Sequence, residues 1–200
     1  MPDNVDDYDG MKEICNRFRV PMELSFYMFP PLRKEGDRKA KMRFTPEKMA
    51  EVGFRYRMDQ CGGDTKQWHE FVEKKCEGME HPENRKHYGI NRITCRSGCS
   101  AFWINWKGEI SGCGMEDDQQ FSLDEMSFAD AWKKITTYSA EAPLSEECAV
   151  CRYREFCPVC AAAACCETGS IDGTPEYLCE YSRIFAQKLL KERERVRNHA

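Results

Sequence analysis

Six of the chain's thirteen cysteines fall in one short run, CAVCRYREFCPVCAAAACC, which extends from Cys148 to Cys166. Its ordered part is Cys148-x2-Cys151-x5-Cys157-x2-Cys160. Thiols at this density, in a chain whose first residues do not form an export signal, are typical of metal ligands, because a reducing compartment opposes disulfides. The odd total also prevents complete pairing. The run therefore indicates a metal centre.

The spacing favours an iron–sulfur cluster over zinc. A zinc ribbon separates its two CxxC pairs by about 15–20 residues, whereas five residues lie between Cys151 and Cys157. Four-iron clusters take four thiolates, and ferredoxin-type runs send one ligand to a distant part of the chain. Four further cysteines could complete two sets of four: Cys95, Cys99, Cys113 and Cys179. Cross-braced zinc modules keep zinc as an alternative.

Five cysteines remain outside these two sets. They are Cys15, Cys61, Cys76, Cys165 and Cys166. Cysteine is among the most buried residue types, so these five are predicted to be apolar thiols rather than ligands. The adjacent pair Cys165 and Cys166 is the exception, since either could replace Cys160 as a ligand.

Composition bounds the remaining function classes. The chain has 200 residues, a formal net charge of -4, 41% hydrophobic residues and a mean hydropathy of -0.72. The negative charge argues against nucleic acid as a partner. No apolar run approaches the roughly 18 residues of a membrane span. The acidic start MPDNVDDYDG has no apolar stretch of a secretory signal. We therefore expect a cytoplasmic chain without membrane or nucleic-acid partners.

The first half of the sequence predicts mainly helices. Apolar spacing predicts a helix over 6–18 and near-alternation predicts a strand over 20–28. Thr45 followed by Pro46 is a helix start, and Gly62-Gly63 is a stop. A further helix is predicted over 66–77. The polar segment 78–93 is predicted to be a linker.

The second half predicts a small β-hairpin and two helices. The strands FWINW and EIS flank the turn Lys107-Gly108. Ser127, with Asp130 as its reciprocal partner, begins a helix that should end near Thr137. The cysteine run is predicted to be a loop. A last helix should begin near Leu178 and end in a solvated tail, KERERVRNHA. The fold class expected is α+β.

The cysteine pattern and the segments around it resemble a known family. The pattern Cys95-x12-Gly108-x4-Cys113, followed by the cysteine run and Cys179, resembles the SPASM domain. So do the segments FWINWKGEISGCGM, SFADAWKKI, CRYREFCPVCAAAACCETG and TPEYLC. That domain is the C-terminal auxiliary-cluster module of many radical S-adenosylmethionine enzymes. The resemblance covers about residues 90–190.

The resemblance implies two 4Fe-4S clusters. By position in the family's pattern, the first cluster would take Cys95, Cys99, Cys113 and Cys160. The second would take Cys148, Cys151, Cys157 and Cys179. The chain departs from the family in its last short gap, which has two residues between Cys157 and Cys160 where three are usual.

A second departure concerns the reaction type. The sulfatase-maturing branch of the family has an aspartate base directly after the cysteine that matches Cys113. This chain has Gly114 there. Glu116, Asp117 and Asp118 follow closely, but they are more typical of a solvated loop. The resemblance is therefore nearer to the peptide-modifying or uncharacterised branches of the family.

The motif that cleaves S-adenosylmethionine is missing. Such enzymes carry CxxxCxxC, and the nearest spacing here, Cys95-x3-Cys99, meets Phe102 instead of a third cysteine. The segment NVDDYDGMKEICNRFRVPMELSFYMFPPLRK resembles the last helix and strand of a radical S-adenosylmethionine barrel. The Tyr27–Pro31 loop would then lie at the mouth of a barrel strand. Arg33 could contact substrate there, although a solvated arginine is the commoner case.

These observations predict two parts, residues 1–90 as a residual barrel edge with a linker and residues 91–200 as a SPASM domain. The expected function is to bind two auxiliary clusters for an enzyme that modifies a peptide or protein, relaying electrons or positioning substrate. S-adenosylmethionine would enter only through the absent catalytic part. The alternatives are a zinc-stabilised interaction module and a stand-alone iron–sulfur carrier serving a separate barrel. Three further residues, Trp68, His69 and His87, are expected to be packing or surface residues.

Overall fold

A computed structural model of the chain describes residues 2–28, 43–90, 92, 95–115 and 119–199. The fold is α+β. It divides into two compact units. The first, which we call the helical unit, comprises Met1–Glu80, Glu155–Cys157 and Tyr177–Ala200. The second, the cysteine unit, comprises His81–Arg154 and Pro158–Glu176. The predicted division at residue 90 assigned the last helix to the second part, whereas almost all of that helix belongs to the helical unit.

The described residues form seven α-helices and three short strands. The helices are α1 (Tyr8–Phe18), α2 (Pro46–Gln60), α3 (Thr65–Glu80), α4 (Phe128–Glu141), α5 (Glu146–Val150), α6 (Ala161–Thr168) and α7 (Glu176–His199). The strands are β1 (Trp103–Ile104), β2 (Glu109–Ser111) and β3 (Gln120–Ser122). Single turns of 3-10 helix cover Pro2–Asn4, Pro82–Asn84 and Arg154–Phe156.

Local signals set the ends of α2. The Thr45 hydroxyl accepts the Lys48 N–H at 3.2 Å, and Pro46 occupies the first helical position. Both features satisfy or remove amides that have no partner within the first turn. The helix ends at Gln60, before the two predicted glycines. The predictions for α1, α2 and α3 are confirmed to within a few residues.

The predicted strand over 20–28 is wrong, because the structure assigns no strand to these residues. The segment still lies against α2. The Tyr56 hydroxyl donates to the Met22 carbonyl at 3.0 Å, and the Phe26 and Tyr56 rings are 5.3 Å apart. A strand needs a neighbouring strand that pairs with its backbone groups. No strand of the described residues pairs with the segment 20–28.

The C-terminal segment is helical rather than a solvated tail. Glu192 accepts the indole N–H of Trp68 at 2.8 Å, and Arg193 donates to Glu80 at 3.0 Å. Arg197 also pairs with Glu73. These partners lie on α3, so the charged residues at the end of α7 are fixed to a neighbouring helix. The sequence pattern of mixed charges did not reveal partners so distant in the chain.

The cysteine unit is built on the sheet and α4. The sheet is antiparallel, with strand order β1-β2-β3. Its central residue, Ile110, is fully buried and packs against Ala131 and Ile135 of α4. Ser127 caps α4 by accepting the Asp130 N–H at 3.2 Å. The hairpin and α4 are confirmed, whereas β3 was not predicted because a three-residue strand carries too little pattern.

Two segments of this unit are more ordered than predicted. The cysteine run contains α5 and α6 instead of a continuous loop, since alanine fills four positions of α6 and has the highest helix propensity. The segment 78–93 is not simply a linker. Arg85 donates to the Cys151 carbonyl at 2.9 Å, and the Gly89 N–H donates to the Ala149 carbonyl at 3.1 Å.

Candidate metal centre

Three of the predicted ligands line a single cavity in the cysteine unit. They are Cys95, Cys113 and Cys160. The cavity has a volume of about 50 Å³. Its other lining residues are Ser97, Tyr138, Ser139, Ala142, Ala161 and Ala162. The structure thus brings together thiols that are up to 65 positions apart in the sequence, a separation obtained from their residue numbers.

Each of these three sulfurs accepts a backbone N–H. Cys95 Sγ accepts from Ser97 and Cys113 Sγ accepts from Met115, each at 3.4 Å. Cys160 is the N-cap of α6, and its sulfur accepts the Ala163 N–H at 3.4 Å. Amide donors stabilise the thiolate form and tune a metal bound to it. The cavity therefore presents sulfurs in an environment that favours ligation.

Electrostatics link the same three residues. Burial raises the pKa of the Cys160 thiol, and the Ala163 N–H lowers it. The neighbouring Cys113 and Cys95 thiolates raise that pKa further. Like charges around one cavity disfavour each other, and a bound cation reverses this effect. A cation bound beside Cys160 would therefore favour the thiolate form of this residue.

A tight approach between the cysteine loops and α4 shapes the cavity. The Ser97 hydroxyl donates to the Gly112 carbonyl, which ties the Cys95 loop to the Cys113 loop. Gly98 has φ +66°, and a Cβ at this position would collide with Ser139 on α4. Only glycine adopts this conformation without strain and leaves room for the helix. Sequence reasoning missed Ser97, Tyr138 and Ser139, for which no motif exists.

Cys99, the fourth ligand implied for the first cluster, does not line the cavity. It is exposed and lies in a turn closed by its own N–H, which donates to the Arg96 carbonyl at 3.0 Å. Cys165 and Cys166, the alternatives to Cys160, do not line it either. Three members of the first predicted set therefore share a cavity, and the fourth, Cys99, does not line it.

The second predicted set is divided between the two units. Cys148 and Cys151 belong to the cysteine unit, whereas Cys157 and Cys179 belong to the helical unit. Cys151 Sγ accepts the Tyr153 N–H at 3.4 Å, the same contact that the cavity sulfurs make. Cys157 lies near Tyr181, whose pKa it raises together with burial, the larger cause, to about 12. The assembly of this set stays a prediction.

Gly114 lies in close contact with Trp103. A Cβ at this position would lie 3.1 Å from the Trp103 ring, which packs across the glycine. A side chain at this position requires the indole to shift by a few tenths of an ångström. The other acidic candidates, Glu116, Asp117 and Asp118, lie outside the described residues, as does Arg33 and the end of the Tyr27–Pro31 loop.

The residues predicted to be structural do not line the cavity. Cys76 is fully buried, and burial raises the pKa of its thiol. Trp68 is buried beneath α7, and His87 is exposed. Cys15 and Cys61 are half-buried. His69 is also half-buried.

A site for a single metal ion needs several donor side chains close to one point. Within the described ranges, no three His, Cys, Asp or Glu side chains form a group that could hold a metal ion. A four-iron cluster distributes its thiolates over separate irons, so its ligands surround a volume instead of one point. Three thiols around a cavity, each with an amide donor, fit that chemistry in type and in number for three of the four irons.

Comparisons with known proteins found no match. No family model, no curated protein and no solved structure matches the chain. Among the described residues, no helix is both long enough and apolar enough to cross a membrane.

Proposed function

We propose that this chain binds two auxiliary 4Fe-4S clusters as the SPASM part of a radical S-adenosylmethionine enzyme that modifies a peptide or protein. The observation that supports it is the cavity lined by Cys95, Cys113 and Cys160. When bound, a cluster of this kind supplies one-electron chemistry, at a potential set by burial and by N–H donors to the sulfurs. The chain's own part is to hold the thiolates, donate those amides and exclude water on the α4 side.

The proposal extends to the fold of the N-terminal part. Residues 1–90 would be the last part of a barrel whose other strands are contributed by another segment or another chain. The segment 20–28 packs Phe26 against α2 and forms no strand with the described residues, so in this proposal it would pair only when those other strands are present. A reading frame that encodes CxxxCxxC immediately upstream would support a longer enzyme. A barrel protein encoded separately would support a two-chain enzyme.

Anaerobic reconstitution with iron and sulfide tests the clusters. About eight irons per chain, with brown cluster absorbance, is the expected result. The Cys113→Ala variant should lose about four irons, since one thiolate of the first set is removed. Cys61→Ala, at a half-buried thiol outside both sets, is the matched control and should retain all of them.

The same measurement separates the alternatives. A colourless protein that holds stoichiometric zinc and no iron would contradict the proposal and leave the zinc-stabilised module. An iron content equal in wild type and Cys113→Ala would contradict the assignment of the first set. A stand-alone electron carrier would bind the same clusters, so the upstream reading frame decides that case.

A further inference from the structure

The β-hairpin and the first residue of α4 carry a group of exposed apolar side chains. We call it the aromatic edge, and it comprises Phe102, Trp103, Ile104, Trp106 and Phe128. Their exposed fractions are 48%, 58%, 44%, 88% and 45%. With full areas of about 150–250 Å² for aromatic side chains, the edge exposes roughly 500 Å² of apolar surface. Exposed apolar surface of this size is comparable to the largest patch on a typical soluble monomer, and such a patch is often functional.

The backbone at the aromatic edge is also available. β1 is an outer strand of the sheet, and among the described residues no strand pairs with its free side. The Asn105 N–H donates to the Glu109 carbonyl at 3.0 Å, so Asn105 faces β2. Because backbone groups alternate along a strand, the N–H and C=O of Ile104 point away from β2. An extended chain could pair with them.

Two of the aromatic side chains on the strand, Phe102 and Trp103, are held in place from within the unit. The Phe102 ring lies 5.2 Å from Phe128 and 5.9 Å from Trp132, both on α4. Trp103 packs across Gly114 on the opposite face of the strand. The surface is thus preorganised, which lowers the entropic cost of binding.

A charged side chain, Lys107, lies at one end of the aromatic edge. The exposed Lys107 ammonium lies 5.4 Å from the centre of the Trp106 ring, at the tip of the hairpin. The nearby Glu109 carboxylate is engaged by the Asn105 amide at 2.6 Å. The tip therefore presents the Lys107 ammonium beside an exposed indole, and this ammonium can pair with an acidic residue at one end of a ligand.

We propose that the aromatic edge binds an extended peptide, which adds as a strand beside β1. The peptide has apolar side chains that contact both faces and an acidic residue next to Lys107. The area decides against a second copy of the chain, since a standard interface needs about 800 Å² per partner. An added strand gains backbone hydrogen bonds as well as apolar contact. The proposal goes beyond the clusters and requires neither of them.

Selection from a library of random decapeptides displayed on phage, against the full anaerobically purified chain, tests the proposal. Enriched peptides should alternate apolar residues and carry Asp or Glu near one end. Binding of a selected synthetic peptide, followed by tryptophan fluorescence, should weaken about tenfold or more in Trp106→Ser. Lys107→Glu should weaken it about threefold. Phe18→Ser is the matched control. Phe18 is 65% exposed but lies outside this surface, so this variant should bind the peptide as the wild type does.

The backbone contribution is tested separately. Ile104→Pro removes the outward N–H without removing a β1–β2 hydrogen bond. Ile104→Lys keeps that N–H but places a charged side chain on the edge strand, which opposes strand pairing, and it serves as a second variant if proline disturbs the hairpin. Both should abolish binding, and N-methylation of alternate peptide amides should do the same. Iron content measured on the same samples separates this result from the fate of the clusters. Absence of enrichment, binding unchanged in both Ile104 variants, or a dimer abolished by Trp106→Ser would overturn the proposal.

Discussion

The helical unit and the cysteine unit differ in what fills their interiors. In the helical unit, the largest fully buried side chains include Met49, Val72, Met79, Leu178 and Leu189. The cysteine unit contributes few of comparable size. One of its apolar clusters is Ile110, Ala131 and Ile135, and another is Leu144, Cys148 and Ala149.

This difference predicts two sources of stability. Burial of large apolar side chains stabilises the helices directly. A unit with a small core and many loops usually needs a metal or another cross-link. The cavity thiols lie in the unit with less apolar burial, and metal binding to them would then contribute to folding as well as to function.

Metal removal should produce the largest difference between the two units. After reconstitution, an iron chelator is expected to accelerate amide exchange in residues 95–115 by at least about tenfold, because the loops lose their shared ligand. Exchange in α3 should change little. Hydrogen exchange followed by mass spectrometry measures both regions in one sample. An equal response in both, or no response in 95–115, would contradict the comparison.

A core truncation in the helical unit should have the next largest effect. Leu189→Ala empties a fully buried position on α7 and should lower the free energy of unfolding by about 2–5 kcal/mol. Iron content should remain that of the wild type. Chemical denaturation followed by circular dichroism gives the loss. Met58→Ala, at a side chain that is 44% exposed, serves as the control and should change stability by under about 1 kcal/mol.

A glycine substitution probes the cavity wall. Gly98→Ala combines an unfavourable φ of +66° with a collision against Ser139, so we expect a loss of about 2 kcal/mol and lower iron retention. Gly63→Ala is the matched control, since Gly63 has φ +80° with nothing within 4 Å of an added Cβ. It should cost about 1 kcal/mol and leave iron content unchanged. Equal effects at both positions would contradict close packing at the wall.

The smallest expected effect is a pH dependence in the helical unit. Burial raises the pKa of Asp59, but hydrogen bonds from Lys12 and Tyr8, both at 2.7 Å, outweigh it and hold the pKa below its usual 3.8. A depressed pKa stabilises the fold above 3.8, and this contribution is lost as the pH falls through the folded-state value.

Asp59→Asn should therefore cost about 1 kcal/mol at pH 7 and progressively less as the pH falls below 3.8. Urea unfolding at several pH values measures the difference from wild type. Asp6→Asn, at an exposed residue, should show no such trend. A difference that grows toward low pH would show that the Lys12–Asp59–Tyr8 contacts do not carry the effect.

Local signals explain most of what could be predicted. Thr45-Pro46 and Ser127 fix helix starts through hydrogen bonds within four residues, so the sequence alone is sufficient. The segment 20–28 shows the limit, because alternation predicts a strand but only a neighbouring strand can satisfy it. The end of α7 shows the opposite error, since its partners Trp68 and Glu80 are more than a hundred residues away.

The sequence by itself determined the residue types of the candidate site, the hairpin that precedes Cys113, and the starts of α2 and α4. These depend on spacing and on contacts within one turn. Only the tertiary structure decided that Cys95, Cys113 and Cys160 line one cavity while Cys99 faces solvent. The reason is that α4 and the Gly98 turn fix the directions of these loops, and side-chain direction across distant segments is not encoded in spacing.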